Sequence, residues 1–183
     1  MRQFPFSERR SGIEYVSIQP VSWTEATVLE RRFRPGVPPQ EAVSGIEEFL
    51  HSDYAYVFEA YWDLWAPGGA PETVQVLSGE EQQETWSQQP ALVRFVAYGL
   101  EFDEEAFQQE GHIQVELGQD TPFLHEDTRR TAELDARIRD NVQKLVAFTA
   151  AVEKNCGVSG RLLWSESEEN LAQKLIARLQ DVQ

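Results

Sequence analysis

Along the first two thirds of this 183-residue chain, apolar and polar positions tend to alternate; in the last third, apolar positions recur every three to four residues. The first pattern predicts strands and the second predicts helices. "DYAYVFEAYWDLWAP" (53–67) shows the sharpest alternation, with Tyr54, Tyr56, Phe58, Ala60, Trp62 and Leu64 on one strand face. "GIEYVSI" (12–18) sets Ile13 and Tyr15 against Val16 and Ile18 and predicts a first strand, with "EATVLERRF" (25–33) as its neighbour. Shorter strands are predicted at 73–78 and 111–118, separated by "ALVRFVAYGLEF" (91–102), which is apolar on both faces and suits a central strand covered on both sides. Residues 80–90 read as a polar excursion around Trp86.

Three helices are predicted. "PPQEAVSGIEEFLHS" (38–52) has prolines at its entry and a stripe of Val43, Ile46, Phe49 and Leu50, weakened by Gly45. From Thr128, Leu134, Ile138, Val142, Leu145, Thr149, Val152 and Cys156 form one stripe of a helix spanning about 128–156, which Gly157 stops. "SESEENLAQKLIARL" (165–179) begins with a capping-box spacing and stripes through Leu171, Leu175 and Leu179. The fold class is therefore α+β: a mostly antiparallel sheet of about five to six strands, packed against the long helix and a C-terminal helix. The length suits a single domain, strand-rich over 1–118 and helical over 127–183.

Charge changes the picture more than composition does. The net charge is −15, and residues 61–127 hold fourteen acids against the single base Arg94. Such a field repels phosphate backbones and anionic lipid and draws in cationic partners, so neither nucleic acid nor membrane is expected as a ligand. No apolar run approaches a membrane span, and the single Cys156 permits a reducing compartment, which makes the cytoplasm the expected location.

The most chemical stretch is "GHIQVELGQDTPFLHED" (111–127), which holds two of the three histidines. On a strand, Ile113, Val115 and Leu117 face the core and His112, Gln114 and Glu116 face away. His112 and Glu116 are then about 13 Å apart, too far to share a metal. His125-Glu126 resembles the start of a zinc-binding helix motif, but Arg129 stands where the second histidine is needed. The simpler account is a strand, then a turn at Asp120-Thr121-Pro122, then a helix cap at Asp127 or Thr128. Cys156 closes an apolar stripe at a helix C-terminus, where a thiolate is disfavoured and core packing is expected. "GVSGR" (157–161) follows a helix and lacks the last glycine of a nucleophile elbow. The run Asp103-Glu104-Glu105 lacks the ligand spacing of a calcium loop. Neither a cofactor nor a metal is predicted, and no catalytic residue emerges.

Two functions remain. In the first, the chain is a non-catalytic acidic module of the inhibitor, immunity or chaperone type, a likeness of role only. Its aromatic and acidic segment would engage a basic protein through Trp65, Trp86, Glu101, Asp103, Glu104 and Glu105, with Trp86 as an exposed anchor. In the second, the sheet and the long helix enclose an apolar cavity for a small molecule. Tyr56, Phe58, Trp62 and Tyr98 would line it, and Arg94 or His112 would orient the ligand, with or without catalysis. Assembly of a homodimer through the helical stripe is a further expectation.

Overall fold

The computed structural model describes residues 1–68, 86–103, 111–118, 120–124, 131–158 and 160. Five strands, β1 (Ile13–Pro20), β2 (Leu29–Arg32), β3 (Tyr54–Pro67), β4 (Trp86–Tyr98) and β5 (Ile113–Glu116), form one antiparallel sheet in the order β2-β1-β3-β4-β5. Helices α1 (Pro39–Ser44), α2 (Thr121–Leu124) and α3 (Ala132–Cys156) and one 3-10 turn (Glu47–Phe49) complete the described elements. The class is α+β, as the change of period predicts. The expected strand at 73–78 and helix at 165–179 fall outside the described residues.

The chain divides into two compact units: Met1–Asp63 with Pro90–Gly118, and Leu64–Gln89 with Gln119–Gln183. In the first unit the core lies on one face of the sheet. Val16 pairs with Phe58 and Ile18 with Tyr56, so these side chains share that face, and Val93 and Phe95 continue it. Phe4 seals it with edge-to-face contacts to Trp62 and Phe95, at ring separations of 5.6 and 5.0 Å. The register shifts between Ile13 and Tyr15. This bulge moves Ile13, opposite Ala60, onto the core face with Val16 and leaves Tyr15, opposite Glu59, on the other. The simple alternation that grouped Ile13 with Tyr15 is thereby corrected.

The helix expected over 38–52 stops at Ser44 and resumes as a single 3-10 turn, Glu47–Phe49. Ile46 leaves the helical region at φ −126°, and its buried side chain is held at the cost of the continuous helix. β4 is not covered on both sides. It lies between β3 and β5 with Val93, Phe95 and Val96 buried but Leu92 and Arg94 exposed, while β3 takes the central position. On β5, Ile113 and Val115 do not reach the core; Ile113 is 67% exposed.

In the second unit Leu134, Ile138, Val142 and Leu145 of α3 are buried, as their spacing predicts. Thr131 caps the helix by accepting the Leu134 N–H at 3.2 Å, in place of the expected Asp127 or Thr128. Gly157 ends it in the left-handed region at φ 63°. Toward that end the buried stripe runs through Phe148 instead of Thr149, and Cys156 is exposed instead of packed. Asn141, fully buried, donates to the Trp65 and Pro122 carbonyls at 2.7 Å each and accepts the Trp65 N–H at 2.9 Å. The two bonds to Trp65 tie α3 to the end of β3, the third ties it to α2, and together they satisfy the buried Asn141 amide.

Candidate functional site

The face of the sheet opposite the core holds what the strands do not spend on packing. Residues directly across from one another in an antiparallel sheet share a face, so the register arranges this one into rows. One row runs Arg32, Tyr15, Glu59, Arg94, Glu116 from β2 to β5. The Arg32 guanidinium lies over the Tyr15 ring at 5.2 Å. Arg94 bridges Glu59 at 3.4 Å and Glu116 at 3.2 Å, so one cation serves two carboxylates. The next row is small and mostly uncharged at its centre: Ser17, Val57, Val96. Beyond it stands Tyr98, whose hydroxyl bonds the Gln114 amide oxygen at 2.8 Å.

Trp23, on the loop joining β1 to β2, closes the far end. Its ring meets Tyr98 at 6.1 Å and the buried Phe102 at 5.3 Å, both edge-on. The loop is tied down from beneath by Gln19, whose amide donates to the Ser22 carbonyl at 2.9 Å and to the Glu25 carbonyl. Charged row, small floor and aromatic clasp enclose a groove of about 430 Å³.

A second feature lies at the same end of the first unit, where three loops are stitched together by backbone bonds. Val21 donates to the Asp53 carbonyl at 2.7 Å, Glu101 to Ser52 at 2.7 Å and Asp103 to Val21 at 3.0 Å. Gly99 donates to Tyr54 at 2.8 Å, and a side chain there would collide with the Ser52 carbonyl. Each loop nevertheless presents a large apolar residue to solvent: Val21 is 52% exposed, Leu50 57% and Leu100 71%, with Trp23 beside them at 46%. Asp53, Glu101 and Asp103 accompany them on the same loops. Val21 holds a positive φ of 56°, a conformation that costs a β-branched residue about 1–3 kcal/mol.

The sequence-predicted site residues scatter across these features. Tyr56, Phe58 and Trp62 are buried on the core face and do not line this groove. Arg94 and Tyr98 do line one, on the opposite face; exposed His112 instead contributes its carbonyl to the Tyr98 N–H. Trp86, expected as an exposed anchor, is only 6% exposed, because residues 86–90 extend β4 instead of forming a polar excursion. Trp65 is clasped by α3: its indole N–H donates to Asp140 at 2.9 Å, and Arg137 lies over the ring at 5.0 Å. Glu101 and Asp103 belong to the stitched loops, with Glu101 accepting the Ser52 hydroxyl at 2.6 Å. Glu104 and Glu105 fall outside the described residues.

Tyr15, Ser17, Trp23, Arg32 and Glu59 were missed. For Tyr15, Ser17 and Glu59 the signal was the off-core parity of β1 and β3; Arg32 on β2 and Trp23 on the loop before it had none, and only the cross-strand register and loop path bring the five together. Among the described residues no group of three His, Cys, Asp or Glu side chains could hold a metal ion, and no helix is long and apolar enough to cross a membrane. No family model, curated protein or solved structure matches the chain.

Proposed function

We propose that this chain is a non-catalytic binding protein that engages a basic protein partner through the stitched loops of its first unit. The observation that carries the reading is the joint exposure of Val21, Leu50 and Leu100, each within two residues of a backbone bond between loops. Loops so connected form a preorganised surface, which lowers the ordering cost of association. Apolar anchors beside carboxylates resemble a desolvated centre with an electrostatic rim. Asp53, Glu101 and Asp103 supply the negative side, and the chain's net charge of −15 adds long-range attraction for a cationic partner. Exposed Trp23 gives the surface an aromatic residue of the kind enriched at interfaces. The strained Val21 supports the same reading, since strain of this kind collects where function retains it.

The test is affinity capture from source lysate with the wild type and with the double variant Leu50→Asp/Leu100→Asp in parallel. The expected result is a basic protein retained by the wild type, lost with the variant, and associating more slowly as salt rises. Equal retention by both proteins, or a partner of acidic character, overturns the proposal.

A further inference from the structure

The groove on the open sheet face is separate from the loop surface in its chemistry, because its unused groups are hydrogen-bond donors. We propose that it binds a planar aromatic carboxylate, with the acid held by Arg32 and Ser17 and the rings running toward Tyr98 and Trp23.

Arg32 is the first observation. Among the described residues its guanidinium has no carboxylate partner; its one close relation is the Tyr15 ring beneath it. Arg94, by contrast, is already shared by Glu59 and Glu116 and has little to offer an anion. Ser17 is the second and independent observation. It is 7% exposed, lines the groove, and its hydroxyl makes no hydrogen bond among the described residues. No buried side-chain polar atom of the described residues lacks a partner, so the Ser17 hydroxyl opens onto the groove, where a ligand can meet it. Ser17 pairs with Glu30, and Arg32 lies two residues further along β2, so the two donors are diagonal neighbours. Diagonal side chains lie about 7–8 Å apart at Cβ, within reach of one carboxylate for a side chain as long as arginine.

The remaining walls offer flat ring surfaces beside the charged groups. Val57 and Val96 make a floor without charge, Tyr15 offers a ring at the Arg32 end, and Trp23 and Tyr98 offer rings at the other. From the Tyr15 row to the row of Gln19, four residues along β1, is about 13 Å at ~3.3 Å per residue. That span suits two linked rings bearing an acid, and a groove of about 430 Å³ is within the usual size of small-molecule sites. A cationic ligand fits less well: Glu59 and Glu116 are engaged by Arg94, and a cation would leave Arg32 facing it unmatched.

The test uses three probes of one shape: 4'-fluorobiphenyl-4-carboxylate, its carboxamide and its aminomethyl analogue, each titrated against the full chain by fluorine NMR and calorimetry. The carboxylate is expected to bind saturably and about tenfold or more tighter than the amide, the difference a charge-assisted pair supplies. Arg32→Gln should remove that preference, and Ser17→Ala should weaken the acid by about three- to fivefold. Arg32→Lys keeps the charge without the planar fork and should fall between wild type and Arg32→Gln; it carries the test if Arg32→Gln fails to fold. The double variant Leu50→Asp/Leu100→Asp should bind the acid as the wild type does, which separates this site from the loop surface. Absence of saturable binding, equal affinity for acid and amide, preference for the amine, or indifference to the Arg32 and Ser17 variants overturns the proposal.

Discussion

The two faces of the sheet in the first unit are built by the same strands and differ by one residue of offset. On one face stand Val16, Ile18, Tyr56, Phe58, Val93 and Phe95, closed by Phe4 and carrying no charge. On the other stand Arg32, Tyr15, Glu59, Arg94 and Glu116, open to solvent along a groove. Burial of apolar area makes the first face the source of stability, at roughly 25 cal/mol per Å² removed from water. The second face holds charges that gain little from one another in high dielectric. Its residues are thus free to be chosen for recognition. The lesson is that the aromatic load of β3 marks the core, whereas the sparser, mixed residues between those rings mark the site.

This contrast can be broken most severely at Phe58. Replacing it with Ala should cost about 3–5 kcal/mol, because a large ring is removed from a closed face. Urea denaturation measures the loss; a change under about 1 kcal/mol would mean the face is not closed.

Tyr56 comes next, being a core ring with a polar tip. Its oxygen accepts the His51 N–H at 2.7 Å and lies 3.0 Å from the Phe49 carbonyl, so Tyr56→Phe should cost about 1–2 kcal/mol. Burial raises the Tyr56 phenol above its ordinary value of 10.0. The folded state then favours the neutral form. That contribution is complete below the unfolded value and is lost as pH rises through the higher folded one. Wild-type stability should therefore decline more steeply above pH 10 than that of Tyr56→Phe, and parallel denaturation curves would contradict the assignment.

On the open face effects shrink. Glu59→Gln should cost no more than about 1 kcal/mol and the difference should fade with added salt, since Arg94 keeps Glu116. Smallest of all is Arg32→Gln, expected to change stability by less than about 0.5 kcal/mol. A larger loss there would place Arg32 among the structural groups and weaken its role as an unspent donor.

How much of this was legible beforehand follows from the physics of each element. The alternation in 53–67 gave β3 and its buried face, because large aromatic residues on every second position leave a strand one way to hide them. The stripe from Leu134 to Leu145 gave α3 for the equivalent reason at helical period. Trp86 was misread because its polar neighbours suggested a loop, yet strand pairing absorbed residues 86–90 into β4. Ile13 and Tyr15 were grouped together because a bulge of one residue is invisible to a period of two. The groove escaped notice for a deeper reason. Arg32, Tyr15, Glu59, Arg94 and Glu116 come from five separate strands, and only hydrogen-bond register makes them one row.

By itself, then, the sequence determined the α+β class, the aromatic strand at 53–67, the long helix with its glycine stop, and the strongly negative charge. These follow from local period and composition, which need no partner to act. The tertiary structure alone decided which tryptophans are sealed and which are open. It also decided which loops are stitched at the sheet's end, and that an unpaired arginine and an unpaired serine share a groove. Those depend on contacts between residues far apart in the chain, and a pattern read along one strand carries no information about its neighbour across the ladder.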